Sequence, residues 1–478
     1  MAASDKPDIV VIFTDQWSPR ETLPCNTQAK TPHLDAVAQE GMRFTSAYSP
    51  SPVCMPARVC LLTGQYPHNT GLWGNTTLFA PPAHQARLFA DVKAAGYTTA
   101  QIGKLHWTGG PAWKKQQRFE KIGDFYKAIA LDYVADVPSP FATPNNRGDY
   151  AKFLKRIGKF DAIAADMTAR LKGDNYLVKP SLATPEEHNE RFVADRAVEF
   201  IERQPKDKPM FLVTSFFGPH NPMDAPEPYA SMYDPASLQV PPNVKFPYQY
   251  DNRPIDEARW RAIKANYLGK MTYIDDCAKL VFDALKKRGK WDNTYIIFVA
   301  DHGEMMGAHG FMTKGRFYEE SAGIPMWIRP PKGERVAGKT SDTPVNLVDI
   351  YATIVEAAGG KVSPQRFSHS LLPIVRGERS QVGDGTVFSE IRSGKERSQM
   401  VRRGPYKWFY QGKKERLYDL EKDPYELNDL ANKPEYAEVQ SQLRQAYYDW
   451  LYRTQVDYSE GYKPMAQRAR EGKLDSKQ

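Results

Sequence analysis

The sequence predicts an α/β fold: a large, mostly parallel sheet flanked by helices, followed by a smaller C-terminal antiparallel sheet plus helix. Three observations carry that expectation. Short runs rich in β-branched and aromatic residues alternate with helical patterns, as they do when parallel strands are joined through helical crossovers. Four of those runs end in chemically distinctive polar groups. After Pro373 the pattern changes to short, charged elements.

The strand ends place the candidate site. Ile9-Val10-Val11-Ile12-Phe13 runs into Thr14-Asp15-Gln16, and Thr98-Thr99-Ala100-Gln101-Ile102 into Gly103-Lys104-Leu105-His106. Met210-Phe211-Leu212-Val213 leads through Phe216-Phe217 to Gly218-Pro219-His220, and Tyr295-Ile296-Ile297-Phe298-Val299-Ala300 ends in Asp301-His302-Gly303-Glu304. Ligands of open α/β sheets bind beyond the carboxyl ends of the strands, so all four groups are expected to line one crevice.

Between the strands, Thr184-Pro185-Glu186-Glu187 offers an N-cap, a first-turn proline and a capping-box Glu, predicting a helix over about 184–204. A longer helix is expected over 257–288, with Leu268, Met271, Cys277, Val281 and Leu285 facing inward and Gly289 as its stop. Nine prolines from Pro219 to Pro254 argue for a long loop without regular structure near His220. Strands are expected at 386–390, 400–403, 407–410 and 417–420, then a helix over about 435–452. The boundary falls near Gly377, giving a catalytic unit of 1–377 and a C-terminal unit of 378–478 that ends in a polar tail.

Composition narrows the class. A chain of 478 residues, 41% hydrophobic and 26% charged, can bury a large core, and no apolar run approaches the ~20 residues of a membrane span. The start MAASDKPDIV lacks a basic segment followed by an apolar stretch, so no signal peptide is visible and a cytoplasmic location is expected; a trimmed mature chain would be periplasmic or secreted. Cys25, Cys54, Cys60 and Cys277 form no disulfide framework or zinc spacing. The net charge of +8 attracts anions, but the basic runs at Lys114-Lys115, 286–288 and 413–416 are short and no nucleic-acid motif accompanies them, so no nucleic-acid or membrane partner is expected. Homo-oligomerisation stays open.

The segment Val53-Cys54-Met55-Pro56-Ala57-Arg58-Val59-Cys60-Leu61-Leu62-Thr63-Gly64 resembles the Cys-x-Pro-x-Arg motif of the formylglycine-dependent sulfatases, of the alkaline phosphatase superfamily. A helix opened by Pro56 and running to about Leu62 would direct its positive end at Cys54 and any bound anion, with Arg58 as a fixed cation. Lys104-Leu105-His106 matches the family's Lys-x-His element, His220 in Pro-His-Asn-Pro its second histidine, and Lys314-Gly315-Arg316-Phe317-Tyr318-Glu319 its Lys-Gly-x-x-Tyr-Glu pattern. Asn75 resembles an amide that contacts the anion or metal. The resemblance extends from Thr31-Pro32-His33-Leu34-Asp35 through Leu417-Tyr418-Asp419-Leu420-Glu421-Lys422-Asp423-Pro424-Tyr425-Glu426, and is poorest over about 109–182. His84, His188, His309 and His369 match no element of the site.

The resemblance implies an alkaline-phosphatase-like fold, formylglycine made from Cys54 by a formylglycine-generating enzyme, and a divalent cation held by Asp15, Gln16, residue 54, Asp301 and His302. Calcium is the expected ion, with manganese or magnesium as alternatives. Gln16 departs from the family pattern, which usually has a second aspartate there. The implied substrate is a small sulfated compound. A hydroxyl of the aldehyde hydrate attacks sulfur, with Asp301 taking its proton and the cation lowering its pKa. Lys104, Lys314, Arg58 and the cation offset charge on the nonbridging oxygens, and His220 protonates the leaving alcohol. His106 then deprotonates the second hydroxyl so that sulfate departs. The competing readings are a formylglycine-dependent phosphonate monoester hydrolase or phosphodiesterase, whose members tend to carry neutral hydroxyl residues at the positions of Lys104 and His106, and an inactive homologue that only binds sulfated ligands.

Overall fold

The computed structural model describes residues 6–21, 28–75, 81, 83–107, 122–145, 148–174, 176–363, 365–392 and 396–455. Cys25, the Lys114-Lys115 run, the chain start at 1–5 and the polar tail from 456 lie outside the described residues, as do 109–121, 146–147 and 175 of the poorly matching region.

Eight strands form the main sheet, in the order Thr340–Ser341, Met42–Phe44, Met326–Arg329, Thr294–Ala300, Asp8–Asp15, Met210–Pro219, Thr98–Gly103 and Tyr133–Asp136. The last five run parallel, while Met326–Arg329 is antiparallel to both neighbours. Asp8–Asp15 and Met210–Pro219 are buried along their whole length, which is why they read as continuous apolar runs rather than alternating ones.

Register brings the strand ends together. Val11 lies opposite both Val213 and Ile297, Thr14 opposite Ala300, and Gly103 opposite Ser215. Pairing skips between Phe13 and Asp15, which sets Asp15 opposite Pro219. Asp15, Lys104, His220 and Asp301 therefore leave the sheet along one edge. Gly103 makes the approach possible, since it has φ +103° and a Cβ there would lie 1.9 Å from the Ser215 carbonyl oxygen.

The long helix spans Glu257–Arg288 as expected. Asp256 caps it by accepting from the Arg259 amide at 2.8 Å, and Gly289 ends it in the left-handed conformation with basic residues in the last turn. Three expectations need correction. The turn at Thr184 forms, with the Glu187 carboxylate accepting from the Thr184 amide at 3.2 Å, but the helix is Asn189–Arg203 because His188 turns extended and becomes the cap. Pro56 does not open the motif helix, which is Cys54–Thr63, with Cys54 in its first position and Pro56 in the third. The proline-dense stretch contains a small hairpin, Tyr248–Tyr250 with Arg253–Ile255, because Pro254 sits on its exposed side where no amide is needed.

At the C-terminal end, Thr386–Ile391, Ser398–Arg403, Tyr406–Gln411 and Lys414–Asp419 form an antiparallel sheet in sequence order, covered by the helix Ala437–Arg453. Trp450 of that helix stacks on Phe388 at 4.4 Å. The opposite face of the sheet packs through Ile391, Met400 and Phe409 against Met305, Phe317 and Tyr318. The small sheet thus grips the segment that carries Lys314. No helix among the described residues is long and apolar enough to cross a membrane.

Candidate active site

Every residue of the motif helix is buried, so Cys54 projects from a fixed base. Its Sγ lies 2.8 Å from Lys314 Nζ, 3.2 Å from His302 Nε2, and 3.8 Å from both Asp15 Oδ1 and Asn75 Nδ2. His106 and His220 also hydrogen-bond toward it. Burial alone would raise the Cys54 thiol, but Lys104, Lys314 and His302 hold it well below the ordinary thiol range. The arrangement favours negative charge at this point.

Arg58 faces away from Cys54 chemistry. Its Nε donates to Asp301 Oδ2 at 2.8 Å, one terminal nitrogen to Asp15 Oδ2 at 3.0 Å, and the other to the Lys104 carbonyl and Ser215 Oγ, both at 2.9 Å. With its donors committed and 1% exposure, the guanidinium positions the carboxylates; the structure does not direct it at a substrate oxygen. Lys104 Nζ also pairs with Asp15 Oδ2. The Oδ2 atoms are thereby occupied, and the Oδ1 atoms turn toward His302 Nε2, at 4.0 Å from Asp15 and 3.5 Å from Asp301.

His302 Nδ1 bonds the Gly303 carbonyl at 2.9 Å, so it carries the proton and leaves the Nε2 lone pair facing the cluster. Asp15, Cys54, Asp301 and His302 are all buried and offer ligand atoms within 4.8 Å of one another. Two hard oxygens, an imidazole lone pair and a polarisable nucleophile position fit a divalent cation. Asp301 is raised to about 6 by burial and by Asp15, whereas Lys104, His220 and Arg58 overcome burial to hold Asp15 below the ordinary carboxylate range.

Gln16 enters the site through Lys314, which donates to its Oε1 at 2.7 Å, while its amide nitrogen donates to Glu304. Its backbone has φ +63°, and His106 has φ +51°, left-handed strain at two strand ends that converge on one site. The Tyr267 hydroxyl donates to the Gln16 carbonyl at 2.6 Å and helps fix that turn. His106 Nδ1 is buried without a partner, and burial lowers the pKa of the ring. His220 is pushed down to about 4, by burial first and then by Lys314; its Nδ1 donates to the Asn221 carbonyl at 2.6 Å, leaving Nε2 for the site. Asn75 accepts from the Met55 amide at 3.0 Å, which turns its side-chain nitrogen toward Cys54.

All eleven residues singled out in the sequence thus meet around Cys54 or one contact behind it. Four of the six other histidines, those set aside in the sequence, are engaged elsewhere: His188 caps a helix, His309 stacks on Tyr318 at 3.8 Å, His369 approaches Asp349 at 3.7 Å, and the His84 carbonyl accepts from Arg366. Sequence reasoning missed Ser215, Tyr267 and Glu304. Glu304 accepts from Gln16, from the Tyr176 hydroxyl at 3.0 Å and from the amides of Met306 and Thr313. Its place directly after Asp301-His302-Gly303 was the available signal; Ser215, inside a strand, gave none.

The family model described as Sulfatase matches residues 7–360. The chain belongs to the sulfatase family. It is a sulfuric ester hydrolase with the fold of the alkaline phosphatase superfamily. A second model, N-sulphoglucosamine sulphohydrolase, C-terminal, matches residues 307–451 and so takes in both the Lys314 segment and the small sheet. Among its relatives, this sulfatase is 29% identical to an arylsulfatase of Clostridium perfringens, over 96% of this chain and 97% of that one. It is 28% identical to an ulvan-active sulfatase of Formosa agariphila, over 92% of this chain and 80% of the other. The phosphonate monoester hydrolase of Agrobacterium radiobacter shares its fold with a TM-score of 0.77 and 23% identity, covering 94% of this chain and 96% of that one.

Proposed function

We propose that this sulfatase cleaves sulfate monoesters with formylglycine made from Cys54 and a divalent cation, calcium first and manganese or magnesium as alternatives, held by Asp15, Gln16, residue 54, Asp301 and His302. The observation that carries the reading is the convergence on one sulfur atom of Lys314 at 2.8 Å, His302 at 3.2 Å and the Oδ1 of Asp15 at 3.8 Å. That atom marks where a nucleophilic oxygen would stand. The hydrated aldehyde would supply that oxygen, and the cation would lower its pKa and polarise the ester.

The remaining work falls to the chain. Lys314, with Lys104 behind it, faces the nonbridging oxygens of a bound sulfate, and Asn75 adds an amide donor. In this reading Asp301 accepts the proton of the nucleophile. Arg58 keeps both carboxylates in register rather than binding the ester. His220 presents Nε2 to the departing alkoxide, and the anionic ester itself favours the proton that this ring must hold. His106, with a free buried ring nitrogen, serves the proton transfer that releases sulfate. The second lone pair on Gln16 Oε1 leaves it able to ligate while accepting from Lys314.

Mass spectrometry and metal analysis test the reading together. Protein produced alongside a formylglycine-generating enzyme should show sulfur replaced by oxygen with loss of two hydrogens at position 54, and turnover should scale with that fraction. Unmodified Cys54 in fully active protein would defeat the modification. Asp301→Ala should lose metal and activity together, and stoichiometric metal in that variant would remove Asp301 from the ligand set. Aryl sulfate should be preferred to the matched phosphodiester; the reverse preference would favour the phosphonate hydrolase reading.

A further inference from the structure

A cavity of about 250 Å³ opens beside the nucleophile position, lined by Val53, Trp73, Gly74, Lys314, Gly315, Arg316, Ile391 and Arg392. Val53 caps the motif helix and Lys314 touches Cys54, so the cavity adjoins the reacting centre. Its charge is one-sided. The Arg316 guanidinium stacks 4.0 Å from the Phe311 ring, and among the described residues the ionisable groups acting on it are Arg392, Arg416 and the Tyr318 hydroxyl, with no carboxylate. Among the described residues Arg392 pairs with Glu396 at a long 3.6 Å, and with side chains 62% and 76% exposed that pair is weak and screened. Arg397, by contrast, is neutralised by Glu390 and lies over the Trp73 ring.

Arg316 is half-buried and feels the like charge of the exposed Arg392 at the cavity wall, a cost that an anion bound between them would offset. We propose that this cavity receives the alcohol portion of the ester, and that the alcohol carries an anionic group of its own, a carboxylate or a second sulfate, bound by Arg316 and Arg392. The proposal rests on the sulfate-ester reading of the adjoining site and names its substrate class. Lys314 separates the two anions: its ammonium serves the reacting sulfate, and the guanidiniums behind it serve the fixed charge of the leaving group. An Arg fork suits a planar carboxylate or the face of a sulfate through two parallel hydrogen bonds. Trp73, backed by Arg397, supplies an apolar wall for the ring or chain that links the two groups.

The test compares 4-nitrophenyl sulfate with the same ester bearing a ring carboxylate meta to the sulfate, and a third ester bearing a sulfonate there. Formylglycine-bearing, metal-loaded enzyme should prefer the charged esters in kcat/KM, mainly through KM, and the preference should shrink as salt is raised. Arg316→Gln and Arg392→Gln should each reduce that preference about tenfold while leaving 4-nitrophenyl sulfate turnover close to wild type. The uncharged ester thereby reports folding in every variant. Whichever of carboxylate and sulfonate gains more identifies the anion read. Equal use of charged and uncharged esters by wild type, or equal losses on both in Arg316→Gln, would overturn the subsite and leave the sulfatase reading intact. Failure of wild type on every ester would strike that reading instead.

Discussion

The stretch 301–320 contributes to two buried charge clusters that are built in different ways. On its outer side, Lys407 bonds Glu319 at 2.7 Å and Glu426 at 2.5 Å, the Glu319 amide donates to Glu426 at 2.7 Å, and Arg402 reaches Glu319 through the Tyr48 hydroxyl. Lys407 there is shared by two carboxylates inside the cluster. On the inner side, Arg58 and Lys104 occupy the Oδ2 edge of the carboxylates and two amides hold Asp301 Oδ1, while Lys314, His302 and Asp15 Oδ1 aim at a common point beside Cys54. A closed cluster serves cohesion. An open one stores electrostatic energy for a ligand that adds charge to it.

That contrast is sharpest at Cys54. Cys54→Ala should lower turnover by about 10⁶-fold, the scale of losing a nucleophile, while the melting temperature stays level or rises. A large loss of stability in this variant would show that the inner cluster is structural after all. The outer cluster should behave in the opposite way. Lys407→Met removes the cation from the buried Glu426 and the partly buried Glu319 and should cost about 3–5 kcal/mol in denaturant unfolding, and adding Glu319→Gln and Glu426→Gln should restore most of it. Full stability in the single variant would break the comparison.

How much of this was legible in the sequence follows from how local each feature is. Strands and their polar ends are encoded within a few residues, so 8–15, 98–103, 210–219 and 294–300, and with them Asp15, Lys104, His220 and Asp301, could be read directly. The contacts of Arg58 could not: a motif names the residue, but its donors find Ser215 and the Lys104 carbonyl only once two strands are in register. His188 ends one turn and begins a helix by accepting from the Glu190 amide while its ring packs on Tyr273, a histidine cap and a long-range contact that the Thr184-Pro185-Glu186-Glu187 pattern does not contain. The strands Met42–Phe44 and Thr340–Ser341 are too short to carry a period.

Lys314→Ala offers an intermediate case, since this lysine is held by the grip of the small sheet yet points inward. It should lower kcat/KM about 10²–10³-fold on aryl sulfate and leave the unfolding midpoint nearly unchanged. Equal damage to both would merge the two clusters into one.

The smallest expected effect is a pH dependence. Glu426 is raised to about 7, by burial and, against the pull of Lys407, by Glu319 and Glu320. A carboxyl whose folded pKa is raised keeps its proton longer in the native state. Its contribution to stability is therefore present below about pH 4.5 and is lost as pH climbs toward 7. Unfolding free energy measured from pH 4.5 to 7 should decline more steeply in wild type than in Glu426→Gln. Parallel profiles would assign the decline to other groups.

The hold of the antiparallel sheet on the Lys314 segment has an evolutionary consequence. Because Lys407 fastens Glu319, five residues beyond Lys314, a foreign C-terminal piece grafted onto this scaffold would have to reproduce that clasp before the donor strand ends could work as a set. The two portions are bound to diverge in step, and recombination between distant members at this seam would be punished even where both parents are sound.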